Sequence, residues 1–181
     1  MKVAGLILAA GASSRMGTPK ALLHYRGETF LARLRRIFES SCDEVFVVGS
    51  PDSAFAVDVV NPAPERGMLS SLQHGLERVS SDADCAIFTL VDLPAITAQT
   101  VHDLAAGWRD EPLRLPRYKG KRGHPVLIAR RLFPEFLAAQ ATPKDVLVRY
   151  ESDIVYMDVD DPGIVQDADT PEEYQKLIAN G

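Results

Sequence analysis

The chain has 181 residues, 46% of them hydrophobic and 25% charged, long enough to bury about two-thirds of its unfolded surface in a single core over residues 1–181. A net charge of -5 and a pI near 5.4 exclude a general nucleic-acid binder, which needs a broad basic face, so any phosphate binding has to be local. Two cysteines make no disulfide framework and fit a reducing cytoplasm, and no run approaches the ~18 apolar residues of a membrane span.

Val3 to Leu8 is a short apolar run with β-branched residues and reads as a buried strand of a parallel sheet. With Lys2 and the small residues that follow, it imitates a short signal peptide, but cleavage there would destroy the loop that comes next. That loop, from Leu8 through Ala9, Ala10, Gly11, Ala12, Ser13, Ser14, Arg15, Met16, Gly17, Thr18 and Pro19 to Lys20, has the chemistry of a phosphate cradle. Gly11 and Gly17 let backbone amides approach an anion, and Ser13 and Ser14 add hydroxyl donors. Arg15 supplies a planar fork and Lys20 a mobile point charge. The lysine follows Thr18-Pro19, so this is not a Walker A loop. The bland alternative is a glycine-containing strand-to-helix turn with two solvated cations.

Beyond the loop, strand and helix alternate as in an α/β domain. A helix is expected from about Phe30 to Glu39, with Phe30, Leu31, Leu34, Ile37 and Phe38 on one face and Arg33, Arg35 and Arg36 on a solvated one. Val45 to Val48 and Val57 to Val60 read as strands, Asn61 to Pro64 as a rigid loop, and Leu69 to Val79 as a helix. Ala86 to Val91 is a buried strand, with Cys85 a buried thiol beside it, whereas Cys42 lies in a polar connection. A helix follows over Thr100 to Trp108. Leu113 to Tyr118 and Pro125 to Ile128 read as two strands joined by the basic turn Lys119 to Arg122, an antiparallel addition to the sheet. Short helices around Leu132 to Ala138 and Asp145 to Tyr150, then a strand over Ile154 to Val159, lead to a last helix. There Thr170 is the cap, Pro171 the first residue and Glu173 the partner in a capping box, with Gly181 past the final turn.

Asp92 follows a buried strand and so emerges at the carboxyl end of the sheet, where open α/β sheets place their ligand crevice. A hard cation such as Mg²⁺ takes one or two protein carboxylates and fills its other positions with phosphate oxygens and water, a role that suits Asp92 as well as that of a plain turn former. Ser70 and Ser71 open a helix, where hydroxyls and amides can meet a ribose or base; a serine N-cap is the alternative. His124, held between Gly123 and Pro125, either faces an acceptor or bonds to backbone. Arg114, Arg117, Lys119, Lys121 and Arg122 form either an anion-greeting patch or a solvated hairpin.

The loop from Leu8 to Lys20 resembles the signature loop of the MobA-like nucleotidyltransferases, and Leu8-Ala9-Ala10-Gly11 is most similar to the molybdenum cofactor cytidylyltransferase branch. Gly67 to Leu72, Asp92-Leu93-Pro94, Arg122 to Val126 and Asp167 to Pro171 also match, in the family's order and over nearly the whole chain. The resemblance implies one three-layer α/β/α domain, Rossmann-like, with a mostly parallel sheet of the nucleotide-diphospho-sugar transferase type. It implies a Mg²⁺-dependent cytoplasmic enzyme that moves a nucleotidyl group from CTP to the terminal phosphate of molybdopterin and releases pyrophosphate. Arg15, Lys20 and Asp92 would be catalytic; Leu8, Ala9, Ala10, Gly11, Ala12, Ser13, Arg15, Lys20, Ser71 and Asp92 would bind the nucleotide. Asp92 and Asp169 would hold the metal, His124 would meet the acceptor, and a molybdenum hydroxylase would receive the cofactor. Guanylyl transfer, a sugar-phosphate acceptor, and a non-catalytic nucleotide-binding regulator or cofactor chaperone are the alternatives. One departure touches the acceptor half: where many members carry Gly-Asp-x-Gly-Ala-Arg, this chain has Ala141-Thr142-Pro143-Lys144-Asp145-Val146.

Overall fold

β1 (Val3–Leu8) is buried along its whole length because parallel neighbours flank it on both sides. The structure is a computed structural model describing residues 1–11 and 17–179. Along β1 the side chains alternate: Val3 and Ile7 enter one apolar layer, and Ala4, Leu6 and Leu8 enter the other. A two-stranded hairpin, β2 (His24–Tyr25) with β3 (Glu28–Thr29), leads into helix α1 (Phe30–Glu39). Thr29 caps that helix by accepting from the Ala32 N–H at 3.2 Å. β4 (Glu44–Gly49) then pairs with β1, followed by the short β5 (Val59–Val60) and α2 (Met68–Arg78). β6 (Cys85–Leu90) completes the parallel centre on the other side of β1, and α3 (Ala98–Ala106) follows.

The second half adds β7 (Leu113–Tyr118), β8 (Lys121–Arg122), β9 (Val126–Ala129), α4 (Phe133–Ala138), α5 (Pro143–Arg149), β10 (Ile154–Asp158) and α6 (Pro171–Ala179). The sheet order is β10-β7-β9-β6-β1-β4-β5, with β8 on β7. β9 runs antiparallel to both β6 and β7, which is the expected antiparallel addition, and β10 returns parallel to β7. One detail differs from expectation. The basic turn closes β7 onto β8 through Lys119 and Gly120 at φ of 48° and 79°, and β9 runs separately between β6 and β7.

Residues of α1, α3 and α6 fill the layer that contains Val3 and Ile7; those of α2, α4 and α5 fill the layer that contains Leu6 and Leu8. This is the three-layer α/β/α arrangement, each helix burying one apolar stripe on the sheet. The strand expected from Val57 shortens because the Asp58 carboxylate instead accepts from the Val47 N–H at 2.8 Å. α5 begins at Pro143 rather than Asp145, since the Thr142 N–H is bonded by the Asp145 carboxylate at 2.8 Å. Cys42 is not a polar-loop residue: it packs on the buried layer beside Gly5, and burial pushes its thiol up to about 12, as it does for Cys85. No helix among the described residues is long and apolar enough to cross a membrane.

Candidate active site

Three neighbouring parallel strands, β4, β1 and β6, end on the same edge of the sheet, and the chain beyond β1 and beyond β6 keeps the ladder going for one more bond. Ala9 N–H donates to Val48 O at 2.8 Å, and Val91 N–H donates to Leu8 O at 3.0 Å. Their carboxyl ends therefore open together, and a cleft of about 680 Å³ lies there, within the size range of small-molecule sites. Ala9, Ala10, Gly11 and Lys20 line it together with Ser50 to Phe55, Pro62, Pro64 and Val91. Leu8 is the buried last residue of β1. Ala12, Ser13, Ser14 and Arg15, also expected to hold phosphates, lie outside the described residues.

Lys20 opens a 3₁₀ turn (Lys20–Leu22), and its ammonium lies between the two predicted metal carboxylates. Nζ donates to Asp92 Oδ2 at 3.0 Å and to Asp169 Oδ1. The side chains of Lys20 and Asp92 are only 14% and 17% exposed, that of Asp169 37%. Burial pushes the Asp92 carboxyl above its ordinary value, with the Lys20 ammonium pulling it down and the charges of Asp169 and Asp167 adding to the rise. Burial works against the charge of Lys20 too, but the bond to Asp169 and the charge of Asp92 outweigh it, holding the ammonium above its usual value. The other oxygen, Asp92 Oδ1, is buried with no hydrogen-bond partner among the described residues. Among the described residues, two carboxylates meet one ammonium here, and Asp92 Oδ1 is an acceptor oxygen with no partner. Such a donor set fits a hard divalent cation that takes its remaining ligands from phosphates and water.

The two carboxylates are joined through backbone as well. Ala168 N–H donates to Asp92 O at 3.0 Å, and the Glu173 carboxylate accepts from the N–H groups of Asp169 and Thr170 at 3.0 and 2.8 Å. The Glu173 N–H in turn donates to Thr170 Oγ1 at 3.2 Å, the reciprocal capping box expected at α6. Asp167 is exposed.

Ser71 is buried and accepts from Asn61 Nδ2 at 3.0 Å, while Ser70 donates to Asn61 Oδ1 at 3.2 Å. α2 is capped by Gly67 at φ 86° with no side-chain bond, so Ser70 is not the N-cap. Asn61 is fully buried and also bonds Gly49 O and Ala63 N–H, which makes it the residue that fixes the Pro62–Pro64 wall of the cleft to β4 and α2. The backbone of His124 donates to Ile164 O at 3.0 Å, and its ring stands edge-on to Phe88 with centroids 5.3 Å apart. Its Nδ1 has no partner among the described residues, and burial pushes the imidazole down to about 4.

The basic residues divide. Arg117 is forked onto Asp158 and Arg122 is paired with Glu151, as on a solvated hairpin, but Arg114 is withdrawn behind Gly107 O and Glu111. Arg33 departs from expectation: its side chain is 12% exposed, lies over the Tyr25 ring, and donates from Nε to Pro94 O at 2.7 Å. It thus braces the loop that carries Asp92. Nothing local in sequence requires either Asn61 or Arg33 to support this site.

A protein from Rhodopirellula baltica named probable molybdenum cofactor guanylyltransferase is 36% identical over 123 residues, which cover 61% of this chain and 58% of that protein. The match therefore spans well under two-thirds of the curated relative's length, and the name says guanylyl where the first loop resembles the cytidylyl branch. Among solved structures, Rv0371c from Mycobacterium tuberculosis H37Rv superposes with a TM-score of 0.83 at 28% identity, covering 99% of this chain and 98% of that one. A structure of Rv0371C in complex with manganese superposes with a TM-score of 0.80 at 24% identity over 100% of both chains. The model of the MobA-like NTP transferase domain matches residues 5–153, and the chain belongs to that family.

Proposed function

We propose that this protein transfers a nucleotidyl group from a nucleoside triphosphate to the terminal phosphate of molybdopterin, with a divalent metal, Mg²⁺ in the cell, and releases pyrophosphate. The observation that carries the reading is the pair Asp92 and Asp169 on one cation at the carboxyl edge of the parallel strands, beside a nucleotide-sized cleft. The acceptor phosphate attacks the α-phosphorus in line and pyrophosphate leaves. Such a step needs positioning and charge neutralisation rather than a side-chain nucleophile. A bound divalent cation supplies part of that neutralisation, held by Asp92 and Asp169. Gly11 brings its backbone close to the phosphates, Arg15 adds its fork, and Lys20 neutralises charge developing at the α-phosphate. His124, at the near end of β9, meets the acceptor.

For the base, Ala10 favours CTP: it is 6% exposed and lines the cleft, so its methyl narrows the space for a purine. The relative's printed name favours GTP as the second reading. Pyrophosphate release is the test. It should require nucleotide, divalent cation and molybdopterin together, and should vanish in Asp92→Asn and Asp169→Asn variants that retain the wild-type circular dichroism. Release with a sugar phosphate in place of molybdopterin would overturn the acceptor; nucleotide binding with no release for any acceptor would make the protein a regulator or chaperone.

A further inference from the structure

Asp161 is 3% exposed and far along the chain from the Leu8–Lys20 loop, yet its carboxylate accepts four hydrogen bonds. Its Oδ2 accepts from Thr97 N–H at 2.9 Å, Thr97 Oγ1 at 2.8 Å and Thr100 Oγ1 at 2.6 Å, and its Oδ1 accepts from Gly163 N–H at 2.9 Å. These bonds start a clasp between two segments that run in opposite directions. Opposite Asp161 is Thr97; opposite Gly163 is Ala95, so close that a Cβ on Gly163 would stand 2.3 Å from Ala95 O; opposite Ala168 is Asp92, joined by the N–H to O bond of 3.0 Å. Midway, Ile164 O takes the His124 N–H, and a Cβ on Gly123 would stand 2.1 Å from that oxygen. Asp92 and Asp169 emerge at the far end. A buried carboxylate has to be held by donors on every side, and here Thr97 and Gly163 within the clasp and Thr100 at the start of α3 supply them.

We propose that Asp161 is a positioning residue: it locks the Asp161–Ala168 segment against Asp92–Thr97 and thereby sets the spacing of the Asp92–Asp169 pair and the seat of His124. The metal part of this inference rests on the function proposed above; the clasp itself does not.

The test is amide hydrogen exchange followed by NMR on the full chain, with Mn²⁺ titration read by electron paramagnetic resonance alongside. In Asp161→Asn, exchange at Ala168 and His124 should quicken about tenfold or more relative to Leu6 in β1, because a local opening is made easier while the sheet is untouched. Mn²⁺ affinity should fall about fivefold or more, as expected when a ligand's support rather than the ligand is altered. Thr100→Val, which keeps shape and removes the shortest bond, should do the same to a smaller degree, and Thr100→Ser should restore it; these variants decide the matter where Asp161→Asn does not fold. Equal quickening at Ala168, His124 and Leu6, or none at all, would overturn the proposal by reducing Asp161 to general stability. Wild-type protein that binds no Mn²⁺ would instead overturn the metal reading, while the exchange pattern would still judge the clasp.

Discussion

Replacing Lys20 by Met removes the one described cation that bridges Asp92 and Asp169, and the cost follows from their exposure. Breaking a buried ion pair by deleting one partner costs ~3 to 5 kcal/mol, whereas an exposed pair is worth ~0 to 1 kcal/mol. Lys20 and Asp92 are 14% and 17% exposed and belong near the first case; Asp169, at 37%, belongs nearer the second. The expected loss is therefore about 2 kcal/mol at pH 7, a fall in Tm of about 4 to 8 °C for a chain of this size. Acid should narrow the gap. Asp92 already holds its proton more tightly folded than unfolded, and without Lys20 that rise is unopposed. The folded state then binds more protons than the unfolded one, so stability recovers as pH falls from neutral towards the ordinary carboxylate range. A divalent cation should do what the proton does. At ~100 times its Kd it adds ~2.7 kcal/mol, and Mn²⁺ should raise the Tm of Lys20→Met more than that of wild type, where an ammonium already stands between the carboxylates. Differential scanning calorimetry at pH 7 and 5, with and without Mn²⁺, measures all three. A variant as stable as wild type at pH 7, or an equal Mn²⁺ increment in both proteins, would refute the shared-cation reasoning.

Lys20→Ala should lower kcat more than it raises KM, the signature of a contact strengthened in the transition state; steady-state kinetics with a change in KM alone would move Lys20 to ground-state binding. With CTP and GTP at equal concentration, the dinucleotide product should be mainly the cytosine form, by a margin of tens to hundreds for the ~1 to 3 kcal/mol that a displaced methyl commands; a mainly guanine product would refute the Ala10 argument and leave fold and metal pair untouched. His124 stays neutral in the fold down to about 4, against an unfolded value near 6.5, so the stability it confers is fully present above pH 6.5 and lost as pH falls towards 4. Urea unfolding at pH 7.5 and 4.5 should show up to about 3 kcal/mol of this loss, absent in His124→Gln. Gly123→Ala would press a Cβ against Ile164 O at 2.1 Å and should cost about 1 to 3 kcal/mol, read from the same urea midpoints.

What sequence makes visible here is whatever is local. The alternation of β1, the apolar stripe of α1 and the Thr170–Glu173 capping box are each contained within a turn or two, and all three stand in the structure. The strand end that launches Asp92 is local too. The supports are not. Arg33 reads as one arginine among three on a helix face, and nothing nearby announces that the Pro94 carbonyl, 61 residues on, lies within its reach. Asp161 is one acid beside Asp158 and Asp160, yet three of its four bonds come from Thr97 and Thr100 at the start of α3, more than 60 residues earlier. Cys42 looked polar by its neighbours and is apolar by its packing, because the absence of a side chain at Gly5 makes room for it. Local patterns set the elements, whereas which side chain braces which loop depends on crossovers that no short window contains.

The charge of the whole chain and the geometry of the cleft edge point to one consequence. A protein of net charge -5 that binds a triphosphate must concentrate cations where the phosphates lie, yet the lysine at this edge is already engaged by two carboxylates. Taken by themselves those three groups carry one net negative charge, which a triphosphate would meet unless a further cation joined them or the lysine turned to its oxygens. On the function proposed above, a divalent ion would do both: Asp92, with its buried Oδ1, and Asp169 would hold it, and the Lys20 ammonium would then be available to phosphate oxygens. Metal and nucleotide would then bind with positive coupling, each removing the electrostatic obstacle to the other, a reciprocity that holds from either side. On that proposal the Asp92–Lys20–Asp169 bridge would be a resting arrangement whose charge is complementary to a metal–triphosphate complex rather than to either component alone.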